Sequence, residues 1–92
     1  MDEHEYHRLA DATLNTIETH LEEADIDFER VSEGIIEVEL AHSKIIINKQ
    51  AVMQEIWLAA KSGGFHYRHV DGQWLDTRSG EELFAALARL IA

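Results

Sequence analysis

The sequence contains no cysteine and is short of basic residues. The absence of cysteine excludes disulfides, thiolate metal sites, thiol nucleophiles and cysteine-held iron–sulfur clusters within this chain. No apolar run approaches the roughly 18 residues that a membrane-spanning helix needs. The N-terminus, MDEHEYHRLAD, lacks the basic segment of an export signal. We therefore expect a cytoplasmic protein without a membrane partner.

Acidic residues dominate the charge, with 18 Asp and Glu against 8 Lys and Arg, for a formal net charge of -10. The excess is concentrated at one end, because residues 1–39 hold 13 acids and only two bases, Arg8 and Arg30. Such a field repels nucleic acid and attracts cations or a basic protein surface. The charge therefore predicts a metal or protein partner and no nucleic-acid partner.

The length of 92 residues and the apolar fraction of 46% are typical of one globular domain, residues 1–92. A chain of this size buries only roughly 60–65% of the surface that it exposes when unfolded. We therefore expect one core and no deep internal active site.

Helical periodicity covers residues 3–24. Its apolar members recur every three or four residues: Tyr6, Leu9, Ala10, Thr13, Leu14, Ile17, Leu21 and Ala24. A second stripe runs down one edge of that face and is polar: His4, His7, Asp11, Asn15, Glu18 and Glu22.

The period then changes to two, which predicts strands in IDFERV, IIEVEL, SKIIIN, QEIWLAA, FHYRHV and QWLDTR. A final helix is predicted in SGEELFAALARLIA, with Ser79 as its N-cap and Glu82 completing a capping box. Two amphipathic helices suffice to cover one face of an antiparallel sheet. We therefore predict an α+β fold, a two-layer α/β sandwich in α-β(6)-α order with both helices on one sheet face.

The other sheet face, here called the open face, is predicted to meet water. If Ile56 and Leu58 point toward the helices, alternation places Trp57 on the open face, and the same parity places Ile46 and Asn48 beside it. Trp74 is interpreted as a packing residue.

Carboxylates are spaced so that several share one surface. Glu18 and Glu22 are one helical turn apart, Asp25 follows at the helix end, and Asp27 and Glu29 share one strand face. Hard and borderline cations take oxygen ligands of this kind. The chain has no His-Glu-x-x-His motif or EF-hand loop, so we expect weak, surface-bound metal that keeps water ligands. A solvated face with no ligand is the alternative interpretation.

Four segments together resemble the bacterial frataxin family over nearly the whole chain. They are the opening EYHRLAD, then SKIIINKQ, EIWLAAKSGGFHY and WLDTRSGEEL. The resemblance implies the frataxin-like α/β sandwich and an iron-binding protein of iron–sulfur cluster assembly. Its implied partners are a cysteine desulfurase and the cluster scaffold protein.

The resemblance also implies functional residues. It places a metal-binding ridge, here called the acidic ridge, on Asp11, Glu18, Glu22, Glu23, Asp25, Asp27 and Glu29. His4, His7 and Glu3 are further candidate ligands near the start of the helix. The ligand is iron, Fe²⁺ or Fe³⁺, with other divalent cations as substitutes. Candidate partner-binding residues are Trp57, Asn48, Gln50, Ile46, Glu18 and Glu22. We expect a monomer, with metal-driven oligomerisation as an open alternative.

Two functional hypotheses of different class remain. In the first, the protein is an iron donor or sensor that regulates the desulfurase–scaffold complex. In the second, it is an acidic adaptor that docks on the desulfurase, and metal binding is incidental. A third hypothesis, an iron-oxidising enzyme, is disfavoured because the Glu-x-x-His pairs of a di-iron bundle are missing. We therefore predict that the protein is not an enzyme.

Overall fold

The computed structural model describes all 92 residues. Helix α1 spans Glu3–Glu23, and helix α2 spans Leu83–Ile91. Between them lie the strands β1 (Phe28–Ser32), β2 (Ile35–Glu39), β3 (Lys44–Gln50), β4 (Glu55–Ala60), β5 (Gly63–Val70) and β6 (Gln73–Asp76). The strands form one antiparallel sheet in the order β1-β2-β3-β4-β5-β6. The predicted fold class and element order are confirmed.

The core lies between the two helices and one face of the sheet. It is a single cluster of 16 buried hydrophobic residues. Helix α1 buries five side chains spaced three or four residues apart: Tyr6, Ala10, Leu14, Ile17 and Leu21. Helix α2 adds Leu83, Ala86 and Leu87 to the same cluster. Because both helices pack on one cluster, the other face of the sheet is left without a covering layer.

Hydrogen bonds of two buried aromatic side chains join α1 to the sheet. The hydroxyl of Tyr6 donates to the backbone oxygen of Glu55 on β4 at 2.7 Å. The indole N–H of Trp74 on β6 donates to Oγ1 of Thr13 at 2.8 Å. Trp74 is 4% exposed, which confirms that it is a packing residue. No helix has the length and apolar character needed to cross a lipid bilayer.

The start of α2 differs from the prediction, because Ser79 is not the N-cap. The helix begins at Leu83, and the side chain of Glu82 caps it by accepting from the backbone N–H groups of Phe84 and Ala85 at 2.9 and 3.0 Å. Residues 81 and 82 still pair with β6, through the bridge between Leu75 and Glu82. Since that backbone is extended, the helix starts only after it. Ser79 instead donates its hydroxyl to the carboxylate of Asp76 at 3.1 Å.

The end of α1 is a tight turn that leads directly into β1. The N–H of Ile26 donates to the oxygen of Leu21 at 2.9 Å, and the N–H of Asp25 donates to the oxygen of Glu22 at 3.1 Å. This pair of bonds is the Schellman motif, in which the residue after the C-cap is left-handed. Asp25 has that conformation, with φ 59°. Asp tolerates it better than most residues, although glycine is the usual choice.

Substitutions at Asp25 test this turn. Asp25→Gly should raise the free energy of unfolding by up to about 1 kcal/mol, because glycine adopts positive φ without the steric cost of a Cβ. Asp25→Ala should lower the free energy of unfolding. Asp25→Asn removes the charge but tolerates the same φ, so it separates the effect of the charge from the effect of the backbone conformation. Denaturant-induced unfolding measures the order of stability of these variants and wild type. An alanine variant as stable as the glycine variant would contradict this account of the turn.

Candidate functional site

The acidic ridge is divided by the structure into paired and unpaired carboxylates. Asp11 contacts Nζ of Lys49 at 2.7 Å, and the Lys49 side chain is only 14% exposed. Glu18 contacts Nη1 of Arg30 at 2.9 Å. Lys49 and Arg30 occupy helix-facing positions of β3 and β1, in register with Ile56 and Ile36. These two ridge acids therefore tie α1 to the sheet.

Arg30 also holds the hairpin that follows β1. Its Nε and Nη2 donate to the backbone oxygen of Glu33 at 3.1 and 2.8 Å. The guanidinium thus links α1, β1 and the β1–β2 turn. A cation that takes Glu18 as a ligand would have to compete with Arg30 for the Glu18 carboxylate.

The remaining ridge acids are exposed and take part in no ion pair: Glu22, Glu23, Asp25, Asp27 and Glu29. Glu22 and Glu23 lie in the last turn of α1, where the helix dipole is negative and disfavours an acid by roughly 0.3–1 kcal/mol. The only basic residue in that turn is His20. These carboxylates therefore oppose the stability of the helix that carries them.

The ridge does not form one compact cluster. Glu29 pairs across strands with Glu37 at an open-face position, whereas Glu18 lies on the helix side of the sheet. No three His, Asp or Glu side chains are placed to hold one metal ion together. Sequence analysis did not anticipate this separation, because it depends on which face of β1 meets α1.

The candidate histidine ligands lie at the far end of α1. His7 is 3.8 Å from the carboxylate of Glu3, and His4 is exposed. From residue 4 to residue 22 the helix rises about 27 Å, at roughly 1.5 Å per residue. The structure therefore does not bring His4, His7 or Glu3 together with the acids at the end of α1.

The open face carries the predicted apolar patch. Asn48 on β3, Trp57 on β4 and His66 on β5 are direct cross-strand partners in one row. Ile46, one row away, is 36% exposed, and Trp57 is half-buried. The parity prediction for Ile46, Asn48 and Trp57 is confirmed. Gln50 lies in the next row, opposite Glu55.

Trp57 is held in place on two sides. Its ring stacks on the imidazole of His66, with centroids 4.3 Å apart and planes 8° from parallel. Its indole N–H donates to Oε1 of Glu55 at 2.8 Å. None of Glu55, His66 and Arg68 was predicted from the sequence as a member of the site.

Glu55 is a buried carboxylate, 2% exposed. Its Oε2 accepts from Nη2 of Arg68 at 2.6 Å, and Nδ1 of His66 lies 3.6 Å from Oε1. Burial alone would raise the pKa of Glu55, but the hydrogen bonds from Trp57 and Arg68 and the nearby positive charges outweigh it. The pKa of Glu55 therefore lies below its ordinary value.

Beside the Trp57 ring is a shallow depression of about 140 Å³. Small residues Ala59 and Gly64 line it, with Ile46, Asn48 and Trp57 around them. The Oδ1 atom of Asn48 is buried and accepts no hydrogen bond from the protein. A buried acceptor without a donor is uncommon in folded proteins. The open face thus combines an apolar anchor with an unused acceptor.

The lowered pKa of Glu55 predicts how stability depends on pH. Since its folded-state pKa is depressed, the stabilisation is complete above the unfolded-state value of about 4.3 and is lost as pH falls through the folded-state pKa. As the pH falls from about 5 to about 3, the melting temperature of wild type should therefore decrease more than that of Glu55→Gln. Thermal melts across this range test the difference, with Glu37→Gln as the control. Parallel profiles for wild type and Glu55→Gln would contradict the prediction.

Comparison with known proteins gives consistent matches across the chain. A family model described as the frataxin-like domain matches residues 1–92. A relative from Janthinobacterium sp. (strain Marseille), named iron-sulfur cluster assembly protein CyaY, is 48% identical over 99 residues, covering 100% of this chain and 88% of the relative.

Two solved structures share the fold. Frataxin from Psychromonas ingrahamii superposes with a TM-score of 0.89 at 36% identity, covering 97% of this chain and 87% of that one. Trimeric frataxin from the yeast Saccharomyces cerevisiae, complexed with ferrous iron, gives 0.79 at 32% identity, covering 88% of this chain and 80% of that one. The chain therefore belongs to the frataxin family.

Proposed function

We propose that this protein binds iron for iron–sulfur cluster assembly, as an iron donor or sensor that regulates a cysteine desulfurase–scaffold complex. The observation that carries the proposal is the group of exposed, unpaired carboxylates at the end of α1 and along β1. The names of the protein's relatives support the pathway, since the matched bacterial proteins are named for iron–sulfur cluster assembly. The ferrous complex of the yeast protein supports iron as the ligand.

The unpaired carboxylates suit iron as a cargo. Glu22, Glu23 and Asp25 offer oxygen ligands within one turn of chain, and Asp27 and Glu29 follow on β1. Because they are exposed and form no three-ligand cage, a bound ion keeps most of its water and exchanges readily. Weak surface binding, shared with other divalent cations, is compatible with an iron donor or sensor.

The acidic adaptor is the second candidate function, with the same surface docking on a basic patch of the desulfurase. It is favoured by the pairing of Glu18 and Asp11 with bases, because a cation would have to displace Arg30 or Lys49 to use these two of the seven ridge acids. The two functions differ in one respect: an iron sensor changes desulfurase activity only when iron is present. Neither function requires this chain to make or break covalent bonds. We therefore propose a protein that is not an enzyme.

The open face is the proposed docking surface for the scaffold protein. Trp57 supplies a large, half-buried aromatic anchor, the residue type that dominates binding energy at interfaces. The depression beside it, about 140 Å³ in volume, has room for one small apolar side chain of the partner. Gln50 and Ile46 lie at the edges of this patch.

Ferrous iron titrated into labelled protein should broaden the amide signals of Glu22, Glu23 and Asp25 first. Glu18 and residues 27–29 should follow, because Glu18 is occupied by Arg30 and residues 27–29 lie on the adjoining strand. A Glu22→Gln, Glu23→Gln variant should bind iron more weakly than a Glu33→Gln, Asp71→Asn variant, which removes the same two charges elsewhere. Amide signals that broaden first around residues 78–82 would overturn the assignment.

The same variants separate the two functions when purified desulfurase is assayed for sulfide production with and without ferrous iron. The sensor predicts that wild type acts only with iron and that Glu22→Gln, Glu23→Gln abolishes this dependence. An equal effect of wild type with and without iron would favour the adaptor.

Trp57→Ala should leave the fold intact, because the ring lies on the open face outside the core cluster. It should weaken scaffold binding by more than about 1 kcal/mol, or roughly fivefold or more. Calorimetric titration with purified scaffold protein measures the loss, and Val70→Ala, an exposed apolar truncation on β5, is the control. Loss of the folded state in Trp57→Ala would show that the ring is part of the core.

A further inference from the structure

We propose that Glu55 is a positioning residue of the docking surface: its buried carboxylate fixes the orientation of the Trp57 ring that meets the scaffold protein. This inference rests on the proposed function of the open face. The observation behind it is a carboxylate that is 2% exposed on the uncovered face of the sheet. Burying a charged group without compensating contacts is unfavourable. The groups that contact the Glu55 carboxylate must therefore explain why it is buried.

The carboxylate joins two neighbouring cross-strand pairs. Glu55 is directly opposite Arg68, and Trp57 is directly opposite His66, in successive open-face rows of β4 and β5. One oxygen, Oε1, accepts from the Trp57 indole at 2.8 Å, and the other accepts from Arg68 at 2.6 Å. Both oxygens are therefore in use, and each constrains a different side chain.

Together these contacts leave the Trp57 ring little freedom. The terminal torsion of a tryptophan side chain is intrinsically broad, so a ring on an open sheet face ordinarily samples several orientations. Here the indole N–H fixes the ring edge, and the stacked imidazole of His66 covers one ring face. The remaining surface of Trp57 borders the depression next to Ile46 and Gly64. A partner therefore meets an anchor that is already ordered.

Stability alone does not account for this arrangement. The Arg68 side chain is 56% exposed, so its pairing with Glu55 is partly screened by solvent. An apolar residue at position 55 would avoid the desolvation of a carboxylate altogether. What an apolar residue cannot provide is an acceptor for the indole N–H. Fixing a rotamer-rich side chain before binding corresponds to about three- to tenfold in affinity.

The decisive variant is Glu55→Gln, which keeps the size of the side chain but has a single acceptor oxygen. That oxygen can accept from Trp57 or from Arg68, and the amide NH₂ then faces the other donor. We expect Trp57 to lose its fixed orientation in a fraction of molecules. Scaffold affinity should fall about three- to tenfold. Glu37→Gln, on the same face but in contact with Lys44 rather than Trp57, should bind like wild type.

The second tryptophan, Trp74, is an internal reference for the state of the Trp57 ring. The chain has two tryptophans, and the indole N–H of Trp74 is bonded to Thr13, remote from Glu55. In Glu55→Gln, the Trp57 indole N–H should exchange faster with solvent while that of Trp74 is unchanged. Faster exchange at Trp57 with unchanged scaffold affinity would overturn the inference, as would unchanged exchange.

A double-mutant cycle tests whether Glu55 acts through the indole. Trp57→Phe keeps a stacking ring but removes the N–H, so it should lower affinity by itself, and Glu55→Gln should then add nothing. A full additional loss in the Trp57→Phe background would show that Glu55 acts independently, which overturns the inference. Adding Arg68→Met to Glu55→Gln removes the competing donor and should restore affinity toward that of Arg68→Met alone.

Failure of this inference is distinguishable from failure of the proposed function. If Trp57→Ala weakens scaffold binding but Glu55→Gln and Trp57→Phe do not, only the positioning role is wrong. If Trp57→Ala binds like wild type, the docking face and the positioning role are both wrong. Should Glu55→Gln not fold, Trp57→Phe remains decisive: it keeps the carboxylate, and wild-type affinity in that variant would overturn the inference.

Discussion

The antiparallel register of the sheet, with only one face covered by helices, determines where the candidate functional side chains of the strands lie. Alternate residues of each strand pack on α1 and α2, so the remaining residues are assigned to the open face without further choice. Trp57 and Asn48 become neighbours for this reason, although they are nine positions apart in the chain. A shift of the register by one residue would move the Trp57 ring into the core.

The same register explains why the two bases near the ridge are placed against α1. Arg30 and Lys49 lie at helix-facing positions near the edge of the core, where an uncompensated charge would be unfavourable. Glu18 and Asp11 neutralise them from α1. These two acids therefore have a structural function, while the acids at the end of the helix have none that the contacts show. The excess of carboxylate beyond what the fold uses is the part that requires a functional explanation.

The fold and the open-face patch were predictable because both follow from periodicity within single segments. The Trp57–His66 stack was not, because it depends on the length of the turn between β4 and β5. A four-residue turn over KSGG, with the strand starting at Phe65, would place Trp57 opposite Arg68. The observed pairing of Ala60 with Gly63 leaves a two-residue turn and brings His66 opposite Trp57. The start of α2 was mistaken for a related reason, since the pairing of Glu82 with β6 is a long-range contact.

One row of the sheet runs from the acidic ridge to the proposed docking face, and the separation along that row bears on whether iron and the scaffold would influence each other. Glu29 pairs with Glu37, and Glu37 pairs with Ile46, so the ridge ends two strands from the patch. At about 4.8 Å per strand this is roughly 10 Å, close to the Debye length of about 8 Å at physiological ionic strength. Lys44, two residues from Ile46 on β3, contacts both Glu37 and Glu39, at 3.3 and 3.5 Å. Electrostatic coupling between the two surfaces is therefore weak and screened by salt. On the proposed function, iron and the scaffold protein would then bind independently instead of competing for one surface.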